Sequence, residues 1–149
     1  MNDYLEVRVG KFIFRTAIDR LYAEEGLWIK LEGERVRIGL SDFAQQRGGD
    51  IAFVNVTPVG KKLLPGSEIA TLETIKVNTE FGSPVNGIVV EINPKLQACP
   101  EVINQDPYGE GWLVVIKVEK WEVDSALLLS PERYQQLVKR TAEQEAGAA

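Results

Sequence analysis

The residue in this sequence with the clearest chemical potential is one lysine. Lys76 lies within residues 72–87, LETIKVNTEFGSPVNG, where two short segments suited to β-strands meet before Gly82-Ser83-Pro84 turns the chain toward a third. A surface lysine is by default a solvated charge, so its neighbours must decide whether it is more. Glu73 and Glu80 flank it on the same expected hairpin. Elsewhere the options are few. The chain has no histidine, so it lacks the imidazole that Ser-His-Asp and Cys-His catalysis use near neutral pH. A tetrahedral zinc site would need histidines and cysteines, and Cys99 is the sole cysteine. With no activating group nearby, Cys99 reads as a small core or loop residue. Gly109 and Gly111 lack the rest of a phosphate-loop pattern and read as a turn before Trp112. Aspartates and glutamates are spread without an evident catalytic pair. The sequence therefore argues against an enzyme with its own acid–base machinery.

The elements that must position Lys76 belong to one ordinary globular chain. Its 149 residues are enough for a core without staples. No apolar run is long enough to span a bilayer. Residues 1–6 lack the basic-then-apolar order of a signal peptide, and the lone cysteine fits a reducing compartment, so a cytoplasmic location is expected. A net charge of −5 with scattered basic residues disfavours nucleic acid and favours docking to basic patches on other proteins.

Turn residues and apolar alternation predict strands over about residues 28–40, 51–56, 68–81, 85–92 and 112–118, forming two packed sheets. Residues 1–25 form an N-terminal extension packed on the domain, with one short apolar strand within 11–23. The remaining domain is 26–149. Glu32-Gly33-Glu34 makes a hairpin turn. Ser41 caps a short helix, 42–47, that Gly48-Gly49 ends. Short helical turns fall around 96–98 and 101–104. Ser130, Pro131 and Glu132 open a C-terminal helix over 131–144, after which the last four residues should fray. Trp28 and Trp112 read as core aromatics. Thr57-Pro58-Val59-Gly60 also resembles Ser83-Pro84-Val85-Asn86-Gly87, suggesting two similar sheet halves that meet at Lys76.

Glu73-Thr74-Ile75-Lys76, followed by Ser83-Pro84-Val85-Asn86-Gly87 and Val89-Val90-Glu91-Ile92-Asn93, resembles the lipoylation region of the glycine cleavage system H protein family. Upstream, the resemblance continues through Gly39-Leu40-Ser41-Asp42-Phe43-Ala44-Gln45 and Gly49-Asp50-Ile51-Ala52-Phe53-Val54. Downstream, it takes in Pro100-Glu101-Val102-Ile103-Asn104 and Asp106-Pro107-Tyr108-Gly109-Glu110-Gly111-Trp112. It implies a mainly β barrel-sandwich hybrid of the biotinyl/lipoyl carrier type, with short helices and a C-terminal helix. It also implies lipoic acid in amide linkage to Lys76, on a non-catalytic carrier that moves an aminomethyl group. The implied partners are glycine decarboxylase, aminomethyltransferase, dihydrolipoamide dehydrogenase and a lipoyl ligase or lipoyl transferase, with no nucleic acid, membrane or metal.

The chain departs from that family around the expected arm groove. Gly26-Leu27 replaces a His-Glu pair before the matched tryptophan. Arg47 stands where a histidine is frequent, and Val77 and Asn78 replace small residues. Glu73, Glu80 and Arg47 are the expected groove or recognition residues, with Glu80 at the family's acidic position. Because Leu27 and Arg47 do not favour a cationic cargo, two alternatives stand beside glycine cleavage. One is an H-like lipoate-binding protein carrying sulfur intermediates in heterodisulfide-reductase-like oxidation, and the other is an unmodified interaction module.

Overall fold

The computed structural model describes residues 3–148, so residues 1, 2 and 149, to which the sequence-based domain limits run, lie outside it. The chain opens with β1 (Tyr4–Val9), β2 (Phe12–Ala17) and β3 (Leu21–Tyr22), where the sequence suggested one short strand. The signal for β1 is the alternation Leu5, Val7, Val9 against Glu6 and Arg8. Those apolar residues are half-buried and the charged ones exposed. The central strands are β4 (Leu27–Glu32), β5 (Arg35–Leu40), β6 (Ile51–Val56), β7 (Lys62–Leu63), β8 (Glu68–Thr74), β9 (Asn78–Gly82), β10 (Gly87–Ile92) and β11 (Val114–Val118). The helices are α1 (Asp42–Gly48), α2 (Val102–Gln105), α3 (Trp121–Ser125) and α4 (Pro131–Ala148).

A six-stranded sheet of order β3-β4-β5-β11-β10-β7 packs against a three-stranded sheet of order β6-β8-β9. Ile29, Ile38, Val89 and Ile116 from the larger sheet meet Ile69, Leu72 and Phe81 from the smaller in one core. This is the mainly β barrel-sandwich hybrid that the sequence implied, although its two sheets are unequal. The chain just after the Ser-Pro segment meets the end of the Thr-Pro segment. Gly60 N donates to Val89 O at 2.8 Å, and Val89 N to Lys61 O at 3.1 Å. Gly87 lets β10 and β11 approach closely, since a Cβ there would lie 2.3 Å from Lys117 O.

A second core lies outside the sandwich. Phe14, Tyr22, Trp28, Phe43, Tyr134, Val138 and Ala142 pack together, with Tyr22 and Tyr134 stacked at 4.4 Å and Phe14 edge-on to Phe43 at 5.0 Å. The β1–β2 hairpin forms its lid. Side chains cap the hairpin edges: Arg15 N donates to Asp42 Oδ2 at 2.8 Å, Gln46 Nε2 to Ile13 O at 3.0 Å, and Gln135 Nε2 to Glu6 O at 3.1 Å. Such capping occupies strand edges that could otherwise pair with other chains.

Ser41 caps α1 through Ala44 N, and Ser130 Oγ accepts from Arg133 N at 3.2 Å, as the sequence suggested. Two expectations are corrected, and one element is added. Helix α4 runs to Ala148 rather than ending at 144, because Ala142 packs on the second core and Glu145 is anchored by Arg47. Trp112 is only half-buried, its face covered by the Arg37 guanidinium at 4.3 Å. The short α3 is new. Its buried Asp124 accepts from Asn86 N at 2.7 Å and Asn86 Nδ2 at 2.9 Å, tying α3 to the turn before β10.

Candidate functional site

The hairpin expected around Lys76 is formed by β8 and β9, with Ile75, Lys76 and Val77 at its tip. Thr74 shapes that tip. Its backbone N donates to Val77 O at 2.9 Å, and its Oγ1 accepts from Lys76 N at 3.2 Å and Val77 N at 3.1 Å. A threonine hydroxyl bonded to amides two and three residues ahead is a local turn device. The sequence reading missed it, although Thr74 two residues before Lys76 was a usable signal. The side chains of the tip stand in solvent, Ile75 being 97% exposed and Lys76 exposed beside it. Among the described residues Lys76 forms no ion pair, so nothing in the fold holds its ammonium.

The tip has a rigid base. Leu72 and Phe81, respectively 3% and 6% exposed, root β8 and β9 in the core. Asn104 ties the end of α1 to β6: its Oδ1 accepts from Ile51 N at 2.9 Å, and its Nδ2 donates to Gln45 Oε1 and Gly49 O. Between α1 and the hairpin lies a groove of about 40 Å³, lined among others by Ala44, Gln45, Gly48, Thr74, Val77 and Thr79.

The expected groove residues separate on this frame. Leu72 lies opposite Thr79 and Thr71 opposite Glu80. Strand alternation therefore turns Thr79 toward the groove and Glu80 toward the outer face of the sheet. Glu80 as a groove carboxylate is a correction: its neighbours on that outer face are Thr71 and, across β6, Asn55. Glu73 sits half-buried in the adjacent outer row with Phe53 and Asn78. Arg47 is on α1 but outside this groove. Its Nη2 pairs with Glu145 Oε2 at 2.7 Å, and its guanidinium lies 5.6 Å from the Phe43 ring centre.

These features coincide with a known family. The profile of the glycine cleavage H-protein matches residues 20–141. The chain belongs to the glycine cleavage H-protein family. A probable glycine cleavage system H protein 1 from Saccharolobus solfataricus is 38% identical over 135 residues, covering 90% of this chain and 97% of the relative. A glycine cleavage system H protein from Coprothermobacter proteolyticus is 46% identical over 118 residues, covering 78% and 92%. The crystal structure of a glycine cleavage system H protein from Mycobacterium marinum superposes with a TM-score of 0.69 at 29% identity, covering 78% of this chain and 94% of that one.

Within this H-protein-family chain, β1, β2 and the residues of α4 after 141 lie outside the family match. They form the lid and far wall of the second core. The sulfur-carrier and unmodified-module alternatives find no support among these relatives. No helix among the described residues is long and apolar enough to cross a membrane.

Proposed function

We propose that Lys76 carries lipoic acid in amide linkage and that the chain is the non-catalytic lipoyl carrier of glycine cleavage. The observation that carries this reading is an unpaired lysine at the tip of a rooted β-hairpin in a chain of the H-protein family. Acylation needs a reachable primary amine, and the exposed side chain of Lys76 meets that need. When attached, the lipoyl group supplies a dithiolane that accepts an aminomethyl group and is afterwards reoxidised.

The chain contributes presentation. Thr74 fixes the turn, while Leu72 and Phe81 anchor its arms, so the modified side chain projects from a firm support. Its partners are the enzymes that load, unload and reoxidise the arm: glycine decarboxylase, aminomethyltransferase and dihydrolipoamide dehydrogenase. A lipoyl ligase or lipoyl transferase installs the group. Glu73 and Glu80 stand on the sheet face beside the tip, where they suit recognition by such enzymes better than contact with the docked arm.

The test uses Lys76→Arg. Arginine keeps the positive charge but offers no primary amine. The variant should fold with an unchanged circular dichroism spectrum and thermal midpoint, and should gain no lipoyl mass when incubated with a lipoyl ligase. Lipoylation of Lys76→Arg at another lysine would overturn the assignment.

A further inference from the structure

The outer face of the six-stranded sheet is basic on a chain whose net charge is −5. Val36, Ile38, Leu63, Val89 and Ile116 turn into the shared core, so strand alternation turns their neighbours outward. Strand pairing then lines up Glu32, Arg35, Lys117, Ile88 and Lys62 in one row across β4, β5, β11, β10 and β7. A second row sets Lys30 opposite Arg37 and continues through the buried Val115 to Glu91. Lys30 pairs with Asp19, and Arg37 with Glu32. Arg35, Lys62 and Lys117 are exposed and, among the described residues, form no ion pair. Lys30 opposite Arg37 and Arg35 opposite Lys117 bring like charges face to face, which weakens a sheet. The fold itself supplies no anion to relieve the second of these pairs, since Glu32 is taken by Arg37.

A line of cations selects an extended partner. Strand spacing of about 4.8 Å puts Arg35 and Lys62 about 14 Å apart, so one small anion cannot engage both. A nucleic acid or an anionic membrane would reach past the row, where Glu34, Glu91 and Glu119 stand exposed at its margins and repel it. A protein's acidic patch is local enough to avoid them. Ile88, 37% exposed within the row, adds the apolar spot that suits a protein contact. We propose that this face is a docking surface for a protein bearing a carboxylate-rich patch, separate from the sheet face that holds Glu73 and Glu80 beside the tip. The two sheets enclose one core and their outer faces point apart, so a partner seated here leaves Lys76 free. Its carboxylates relieve the like-charge pairs, and the charge match orients the encounter.

The test uses the unmodified chain, so its outcome is independent of lipoylation. A polyglutamate peptide stands in for the carboxylate-rich patch. Titrating it in should shift the amide resonances of Arg35, Ile88 and Lys117 and leave those of Glu73 and Glu80 in place. Raising salt from about 50 to about 300 mM should weaken binding about tenfold through screening. Arg35→Glu/Lys117→Glu should weaken it by about tenfold or more, because it reverses the centre of the row. Lys139→Glu/Arg140→Glu changes the net charge equally, on the exposed side of α4, and should leave binding within about twofold. Lys117→Glu alone turns a like-charge pair into an opposite one, so it should raise the thermal midpoint while weakening binding. Shifts confined to other cations, equal weakening in the two double variants, or a midpoint that falls in Lys117→Glu would overturn the inference. Tighter binding of polyuridylate RNA or of phosphatidylserine vesicles than of polyglutamate would overturn the assignment to a protein partner.

Discussion

The hairpin tip and the second core solve opposite problems. At the tip, Ile75, Lys76 and Val77 are exposed, and the hydroxyl of Thr74 organises the turn. In the second core, Tyr22, Trp28 and Tyr134 are almost wholly buried, and their surroundings come from segments more than a hundred residues apart. The tip has to present a side chain to other proteins, so its stability is borrowed from the strands beneath it. The second core presents nothing and spends its apolar surface on joining the two chain ends to the sandwich. Substitutions should therefore divide: those at the tip alter modification with little change in stability, and those in the second core do the reverse.

The largest effect should come from Trp28→Ala. The indole is 1% exposed, and its Nε1 donates to Pro107 O at 2.9 Å. Removing a buried aromatic of this kind typically costs about 3–5 kcal/mol. Chemical denaturation should report that loss, while Lys76 should still accept a lipoyl group wherever the chain remains folded. Lipoylation abolished in a Trp28→Ala chain that is still folded would break the division between the regions.

Alkaline pH should act next, and on the second core. Burial raises the phenols of Tyr22 and Tyr134 far above their ordinary value of 10, and it raises Tyr108 to about 12. Above pH 10 the unfolded chain releases these protons while the folded chain keeps them. Stability is therefore complete below about pH 10 and falls as pH rises from there toward the folded values. Each retained phenol proton weakens folding by about 1.4 kcal/mol per pH unit in that window. Denaturation midpoints measured from pH 8 to 11 should fall only above about 10, and the tyrosinate absorbance of Tyr22, Tyr108 and Tyr134 should appear together with unfolding. Ionisation of all the tyrosines at pH 10 in a folded chain would contradict this burial.

The smallest stability change should come from Thr74→Val. Lys76 N and Val77 N lose their acceptor but are exposed enough for water to replace it, so the cost should be about 0.5–1.5 kcal/mol. The rate of lipoylation should nevertheless fall, because the turn that aims Lys76 is loosened. An unchanged rate would show that the hydroxyl does not set the presentation of Lys76.

The same contrast governs what could be read from the sequence. Local devices were legible: Ser41 and Ser130 as caps, the Gly33-Glu34 turn, and Lys76 between two strand-like segments. Long-range arrangement was not. Residues 4–17 carry a clear period of two, but their role as the lid of the second core depends on α4, far along the chain. Glu80 was placed in the groove by its match to the family's acidic position on the same hairpin. Its direction follows from the pairing of Thr71 with Glu80, which no single segment encodes.

The most direct test of the carrier reading is intact-mass measurement with peptide mapping after incubation with lipoic acid and a lipoyl ligase. One lipoyl addition per chain, located on Lys76, is expected. A lipoyl group on Lys61, Lys62 or any other lysine, or none where an authentic glycine cleavage H protein is fully modified, would contradict it.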